Sequence, residues 1–348
     1  MKREPKGWTL VAGGAGFIGS HLCRALLEAG ERVLCLDNLQ TARVSNLATL
    51  EKFAGFRFVW GDISHPLPQE IMRETRSIRR IYNLACAASP ELYQADPEHT
   101  MLTNVVGTDR LLRLAEQSGA RFLLASTSEV YGDPAVHPQR EDYRGNVSCT
   151  GPRACYDEGK RAAETLAFDF ARGGRADVRV ARIFNTYGPH MRIDDGRVVS
   201  NFIGQILSGE PLTIYGDGSQ TRSFCYVEDT VDALMRLMAS EMPDLLAINI
   251  GNQHELSIAQ LVETLCGIAD GPVAIVHRAL PTDDPQRRRP DITKARELLG
   301  WEPATALSAG LRKTYDWFAT EHRAGASAPI LARDPVTAAR VARLAATG

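Results

Sequence analysis

Tyr156 and Lys160 stand four residues apart in the segment YDEGK. Residues i and i+4 of a helix share a face, so this spacing puts a phenol beside an ammonium. The ammonium favours phenolate, as does the positive ring of an oxidised nicotinamide. A tyrosine so placed serves as a base on an alcohol or sugar hydroxyl while a hydride leaves. The same spacing is common on solvated helix faces, so it needs corroboration. Some comes from RFLLASTSEVYG (121–132), an apolar strand ending in hydroxyls and an acid. Thr127 is placed to hydrogen-bond a substrate oxygen. Glu129 offers a carboxylate that moves a proton or orders a water. Ser126 reads as a loop cap. Cys149 and Cys155 flank the tyrosine, but no histidine base is evident nearby, so a catalytic thiol is not expected.

A second constellation lies at the other end of the domain. Residues 11–19 read VAGGAGFIG, after the apolar run WTLVA and before the helical pattern SHLCRALLEAG. Glycines at 13, 16 and 19 serve a tight turn, the approach of backbone to a pyrophosphate, and close helix–strand packing. The helix N-terminus favours an anion. A glycine turn without a cofactor is the bland alternative, and the strand–turn–helix context argues against it. The second strand, RVLCLD, ends at Asp37, which suits the ribose diol of NAD and repels the extra phosphate of NADP. Arg43, close by in sequence, is the one residue that argues toward NADP.

These groups need a frame. The strand-like runs WTLVA, RVLCLD, FRFVW, IYNLA, RFLLAS and VRVARI alternate with helices near 18–29, 98–118 and 153–172. The alternation predicts an α/β fold with a doubly wound parallel sheet (Rossmann) and a smaller mixed C-terminal substrate domain. The expected division is 1–190 for the NAD-binding domain, with return segments near 225–251, and a discontinuous 191–320 for the substrate domain. YVEDTVDALMRLMAS (226–240) reads as a helix and LLAINIG (245–251) as a strand. Residues 324–348, rich in Ala and Arg, read as a surface helix or an unordered tail. The 348 residues carry a formal charge of −2 and are 44% hydrophobic. Near-balanced charge points away from nucleic acid as a partner. No apolar stretch reaches membrane-spanning length, and the short MKREPKG start leaves no room for a signal peptide. Seven cysteines without a C-x-x-C pair read as reduced cytoplasmic thiols, mostly in the core; no metal is expected.

The motif string GGAGFIGSHLC (13–23), LACAASP (84–90), TNVVGT (103–108), ASTSEVYGDP (125–134), GPRACYDEGKR (151–161), ARIFNTYGP (181–189), DGRVVSNFI (195–203), LTIYGDGSQTRSFCYVED (212–229) and DDPQRRRPDI (283–292) resembles the extended short-chain dehydrogenase/reductase superfamily. Within it, the resemblance is to the UDP-glucuronate decarboxylases, or UDP-xylose synthases. It covers nearly the whole chain to about residue 320. The first and fifth motifs are generic to the superfamily, whereas TSEVYGDP with GDGSQTRSFCYV is considerably more specific. The resemblance implies NAD held by Gly13, Gly16, Phe17, Ile18, Asp37, Asn38, Asp62, Ile63, Leu84, Ala85, Tyr156, Lys160, Thr186 and Arg192. It implies substrate contacts from Asn185, from 199–203 (Val199, Asn201 and Phe202 among them), and from Tyr215, Arg222 and Arg288. Two arginines suit a diphosphate; Arg287 and Arg289 read instead as a solvated basic run. Three departures stand out: Cys149-Thr150 where the family has Pro-Ile, Leu102 where it often has a lysine near the substrate, and Leu39-Gln40 where it has an aromatic pair.

The resemblance implies decarboxylation of UDP-glucuronate through a 4-keto sugar, with NAD regenerated each turnover and therefore tightly bound. Tyr156 is the expected base, Thr127 polarises the carbon 4 oxygen, and Lys160 lowers the tyrosine pKa. Glu129 and Arg222 position the ring and deliver a proton at carbon 5. A homodimer through the 98–118 and 153–172 helices is expected. The alternatives are a UDP-sugar 4-epimerase, a 4,6-dehydratase (which wants an acid where Ser128 stands), and a non-catalytic NAD-sensing protein, which would be expected to lack Tyr156 or Lys160.

Overall fold

Seven short runs rich in Val, Ile, Leu and Phe pair into one sheet in the computed structural model, which describes residues 7–242, 245–269, 271–279, 287–323 and 325. They are β1 (Trp8–Ala12), β2 (Arg32–Asp37), β3 (Phe56–Trp60), β4 (Ile78–Asn83), β5 (Arg121–Thr127), β6 (Val178–Ile183) and β7 (Ala247–Ile250). Their order is β7-β6-β5-β4-β1-β2-β3, and every pairing is parallel. All five residues of β1 are buried, as befits a parallel strand with helices on both faces. The fourth strand begins three residues earlier than the IYNLA run suggests, because Ile78 and Arg80 pair with β1 before the apolar stretch starts. The order reverses between β1 and β4. In such sheets, ligands bind outside the carboxyl ends at this switch point. The register carries Ala12, Asp37, Asn83 and Thr127 to that edge together.

The helix expected over 98–118 forms as one run, but not a uniform one. Pro97–Leu102 and Thr108–Ser118 are α-helical, and Thr103–Gly107 between them widens into a π turn. The Asn104 amide donates to the Thr100 carbonyl there at 3.0 Å, and Gly107 packs against Ile63, whose Cδ1 lies 2.5 Å from where a Cβ would stand. Such π bulges cluster near functional sites. The 153–172 helix spans Ala154–Arg172.

After residue 190 the strands are short. Leu212–Tyr215 pairs with Ile275–Arg278, while Glu255–Ser257, Thr221–Ser223 and Arg287–Arg288 form a small three-stranded sheet. The helices Val198–Ser208, Ile258–Cys266 and Thr293–Leu299 pack around them. The helix Leu307–Arg323 crosses back toward the first domain. Of the 324–348 tail, all but Gly325 lies outside the described residues. Among the described residues no helix is long and apolar enough to cross a membrane. All seven cysteines are free, but only Cys23, Cys35 and Cys225 are buried, and Cys149 is exposed. The expectation that most are core fails because Cys86, Cys155 and Cys266 are only half-buried.

Candidate active site

The glycine turn follows β1 and opens into the helix Phe17–Glu28. Gly13 has φ +77°, and a Cβ there would lie 2.7 Å from the Leu84 carbonyl carbon; only glycine fits both demands. Gly16 is the helix N-cap, and no side chain caps the first turn. Gly13, Gly16, Phe17 and Ile18 line a cleft at the switch point, so the uncapped N–H groups face a space suited to an anion.

Beyond the turn, Asp37 is 8% exposed and accepts from Ala15 N at 2.9 Å and Leu39 N at 2.7 Å. Burial pushes its carboxyl up to about 6 against these hydrogen bonds. Leu39, next but one, holds φ +62°, a conformation rare for a side-chain-bearing residue and typical of functional loops. Asp62 accepts from the Asn38 amide at 2.8 Å and lies 2.7 Å from His99 Nε2. Burial alone would raise it, but hydrogen bonds from Ser64, Asn38 and His99 outweigh burial and bring it to about 2. Asn38, Ile63, Leu84, Ala85, Thr186 and Arg192 also line this cleft. Arg192 forms a fork with Asp194 at 3.0 and 2.7 Å. An anion cradle, an acid placed for a diol and an apolar slot together fit a dinucleotide such as NAD.

The reacting end lies where β5 and β6 finish. Lys160 Nζ donates to the Ala125 carbonyl at 2.9 Å and stands 5.8 Å from the centre of the Tyr156 ring. One turn further along, Glu164 pairs with Arg182 of β6 at 2.7 Å and accepts from Ser126 at 2.5 Å. Ser126 is thus part of a buried network, not a loop cap, because Glu164 faces it across 38 residues of sequence. The network fixes the helix bearing Tyr156 and Lys160 against two strands, and losing one partner of such a pair is costly. Tyr156 stacks on Tyr93 with centroids 4.9 Å apart and planes 5° off parallel.

The expected lowering of the tyrosine pKa is absent in the protein alone. Burial raises the phenol well above its usual value, and the hydrogen bond with Thr127 opposes that only in part. Burial likewise lowers Lys160. Desolvation disfavours both charged forms, and it wins wherever added charge does not offset it.

A second cavity of about 690 Å³ joins the cleft. Glu129, Asn185 and Thr186 line both, while Val199, Asn201, Phe202, Tyr215, Arg222 and Arg288 line the second. Glu129 sits at the junction, paired through one carboxylate oxygen with Arg288 and through the other with Arg153. Arg222 is the register neighbour of Arg288 and donates to the Thr221 carbonyl. Glu129 is therefore flanked by Arg288 and Arg153 in this structure. Arg289 is half-buried, with its Nε lacking a partner among the described residues. It is not part of a solvated run, because its backbone pairs with Gln139 on both sides. The side chain of Arg287 lies outside the described residues.

Sequence reasoning passed over several lining residues. Arg153 lay inside a quoted motif without a role, though an arginine three residues before the tyrosine shares its helix face. Ser89 Oγ and Tyr93 Oη are buried without partners among the described residues, and both residues line the cavities. Buried hydroxyls rarely go unpaired, so both suit contact with a polar ligand. Only the Pro90-flanked helix start in LACAASP pointed toward them.

Residues 9–251 match the NAD dependent epimerase/dehydratase family. The chain is 52% identical over 302 residues to UDP-glucuronic acid decarboxylase 4 of Arabidopsis thaliana, a match covering 87% of this chain and 66% of that relative. UDP-glucuronic acid decarboxylase 5 of the same plant is 52% identical over 303 residues, covering 87% of this chain and 86% of the relative. Among solved structures, UDP-glucuronic acid 4-epimerase from Bacillus cereus, in complex with UDP-glucuronic acid and NAD, superposes with a TM-score of 0.80 at 29% identity, covering 90% of this chain and 99% of that one.

Proposed function

The chain belongs to the NAD-dependent epimerase/dehydratase family, and from that premise we propose that it decarboxylates UDP-glucuronate to UDP-xylose. The observation that carries the reading is the meeting of two sites at one carboxylate. The tyrosine–lysine pair lies on the dinucleotide cleft, and Glu129 joins that cleft to an arginine-lined cavity. The relatives' names support the substrate.

When bound in this cleft, NAD would supply a reversible hydride acceptor for sugar carbon 4. The chain's residues do the rest. Tyr156 removes the carbon 4 hydroxyl proton, leaving a ketone β to the carboxylate. The bond from carbon 5 to the carboxyl carbon then breaks, and its electron pair passes into the enolate. Thr127, which lines the cleft with Tyr156, polarises the carbon 4 oxygen that carries this charge. Glu129 delivers or relays the proton that carbon 5 takes up, and Tyr156 returns its proton to the carbon 4 oxygen at the end. Deprotonating a buried phenol needs positive charge beside it, and Lys160 is the charge the chain itself supplies. Arg222 and Arg288 suit the diphosphate, for which paired guanidinium forks are well shaped. Asn185, Val199, Asn201, Phe202 and Tyr215 complete the sugar-nucleotide site. Gly13, Gly16, Phe17 and Ile18 hold the pyrophosphate. Asp37 takes the ribose, and Asn38, Asp62, Ile63, Leu84, Ala85, Thr186 and Arg192 close around the rest.

Incubation with UDP-glucuronate is expected to release carbon dioxide and form UDP-xylose without added reductant. Interconversion of UDP-glucuronate and UDP-galacturonate with no carbon dioxide would establish the 4-epimerase reading instead.

The protein acts as a cytoplasmic homodimer. The seven unpaired thiols suit a reducing compartment. The two helices expected at the interface leave Leu102 41% exposed and Val105, Val106 and Leu166 only half-buried in the single chain. Sedimentation at micromolar concentration should give twice the 38.1 kDa chain mass; a monomer would refute the interface.

A further inference from the structure

Among the described residues, Arg43 is the one cation whose place beside Asp37 in the cleft lining would suit an NADP phosphate. It occupies the position just before the helix Val44–Leu50, without a side-chain cap, and lines the cleft with Asp37, Asn38 and Gln40. Asn46 of that helix donates to the Ala15 carbonyl at 3.0 Å, which ties the helix to the glycine turn. The backbone of Arg43 is thus held at the ribose end of the cleft. Its guanidinium points elsewhere. It pairs with the Glu321 carboxylate and lies 4.9 Å from the centre of the Trp317 ring. Both partners come from the helix Leu307–Arg323, 278 residues away in the case of Glu321. Trp317 is in turn braced edge-on by the core residue Phe318 at 4.9 Å and by the tilted ring of His190, from the cleft wall, at 5.4 Å.

We propose that Glu321 and Trp317 are cofactor-specificity residues: they latch Arg43 so that the ribose end of the cleft does not offer its guanidinium to a 2′-phosphate. The inference rests on the NAD reading above and deepens it. A guanidinium fork binds phosphate and carboxylate with the same geometry. Glu321 therefore competes directly with a 2′-phosphate for Arg43, and the Trp317 ring packs beside the guanidinium. Asp37 repels the phosphate from the other side of the ribose. NAD, with a hydroxyl at that position, needs nothing from Arg43. The closing helix, placed by sequence in the sugar-nucleotide half, thus helps to select the dinucleotide.

The test is the affinity of cofactor-stripped protein for NADH and NADPH, read by nucleotide fluorescence, with thermal melting as a check on folding. Glu321→Gln is expected to tighten NADPH about tenfold, the scale of one charge-assisted contact, while NADH stays within about threefold. Arg43→Gln alone should leave NADPH within about threefold, because the latched guanidinium contributes little. The double variant should lose the gain seen in Glu321→Gln. Unchanged NADPH affinity in Glu321→Gln, or a gain that survives in the double variant, would overturn the latch while leaving the NAD reading intact. Equal weakening of both nucleotides in Glu321→Gln would show a purely structural helix dock and also overturn it. Failure of the wild type to bind NADH would overturn the NAD reading and the latch with it.

Discussion

Tyr156→Phe is expected to cut UDP-xylose formation by about 10³-fold or more, since a positioned general base typically contributes 10²–10⁴-fold and here the same group returns the proton as an acid. The fold and the bound NAD should survive. Tyr156 is 5% exposed and stacks on Tyr93, contacts that a phenylalanine ring keeps. The substitution removes the hydroxyl and leaves the ring's stacking in place. Lys160 remains anchored to the Ala125 carbonyl, so its side chain does not follow the hydroxyl. The measurement is turnover beside NAD content per subunit. Activity within about tenfold of wild type would place the base on another residue. Loss of NAD together with turnover would mean that the phenol serves binding.

Glu129→Gln should slow carbon dioxide release by about 10²–10⁴-fold, the usual worth of a proton-transfer group. Glutamine keeps the shape but cannot carry the proton to carbon 5. It also removes the negative charge between Arg153 and Arg288. The two consequences separate kinetically. A lost proton transfer lowers the turnover number, and enzyme-bound NADH then accumulates because oxidation still runs. A lost charge between two arginines alters the Michaelis constant instead, because those arginines then meet the substrate anions unopposed. Full activity in the variant would make Glu129 a structural link between the two arginines. Arg222→Ala, at the position paired with Arg288, should raise the Michaelis constant more than it lowers turnover.

Much of the fold and the cofactor cleft was legible because it is encoded locally. A glycine turn between an apolar run and an amphipathic stretch has one structural solution, and the i, i+4 spacing of Tyr156 and Lys160 survives any packing of their helix. Parallel strands bring their carboxyl ends to one edge, so Asp37 and Thr127 were placed together before any contact was known. What depended on distance along the chain was not legible. Glu129 meets Arg288 across 159 residues, and Arg43 meets Glu321 across 278; no periodicity links such pairs. The π turn at Thr103–Gly107 packs against Ile63 and the Ala154–Arg172 helix, and no local pattern in the sequence marks it. The upward push of burial on the Tyr156 phenol in the protein alone was not legible for the same reason. Sequence shows a neighbouring charge four residues away, but burial is a property of everything folded around the ring. The residue types and their spacing determined which chemistry the chain can perform. Tertiary structure alone decided which charges meet, because desolvation and long-range ion pairing exist only once the chain has closed.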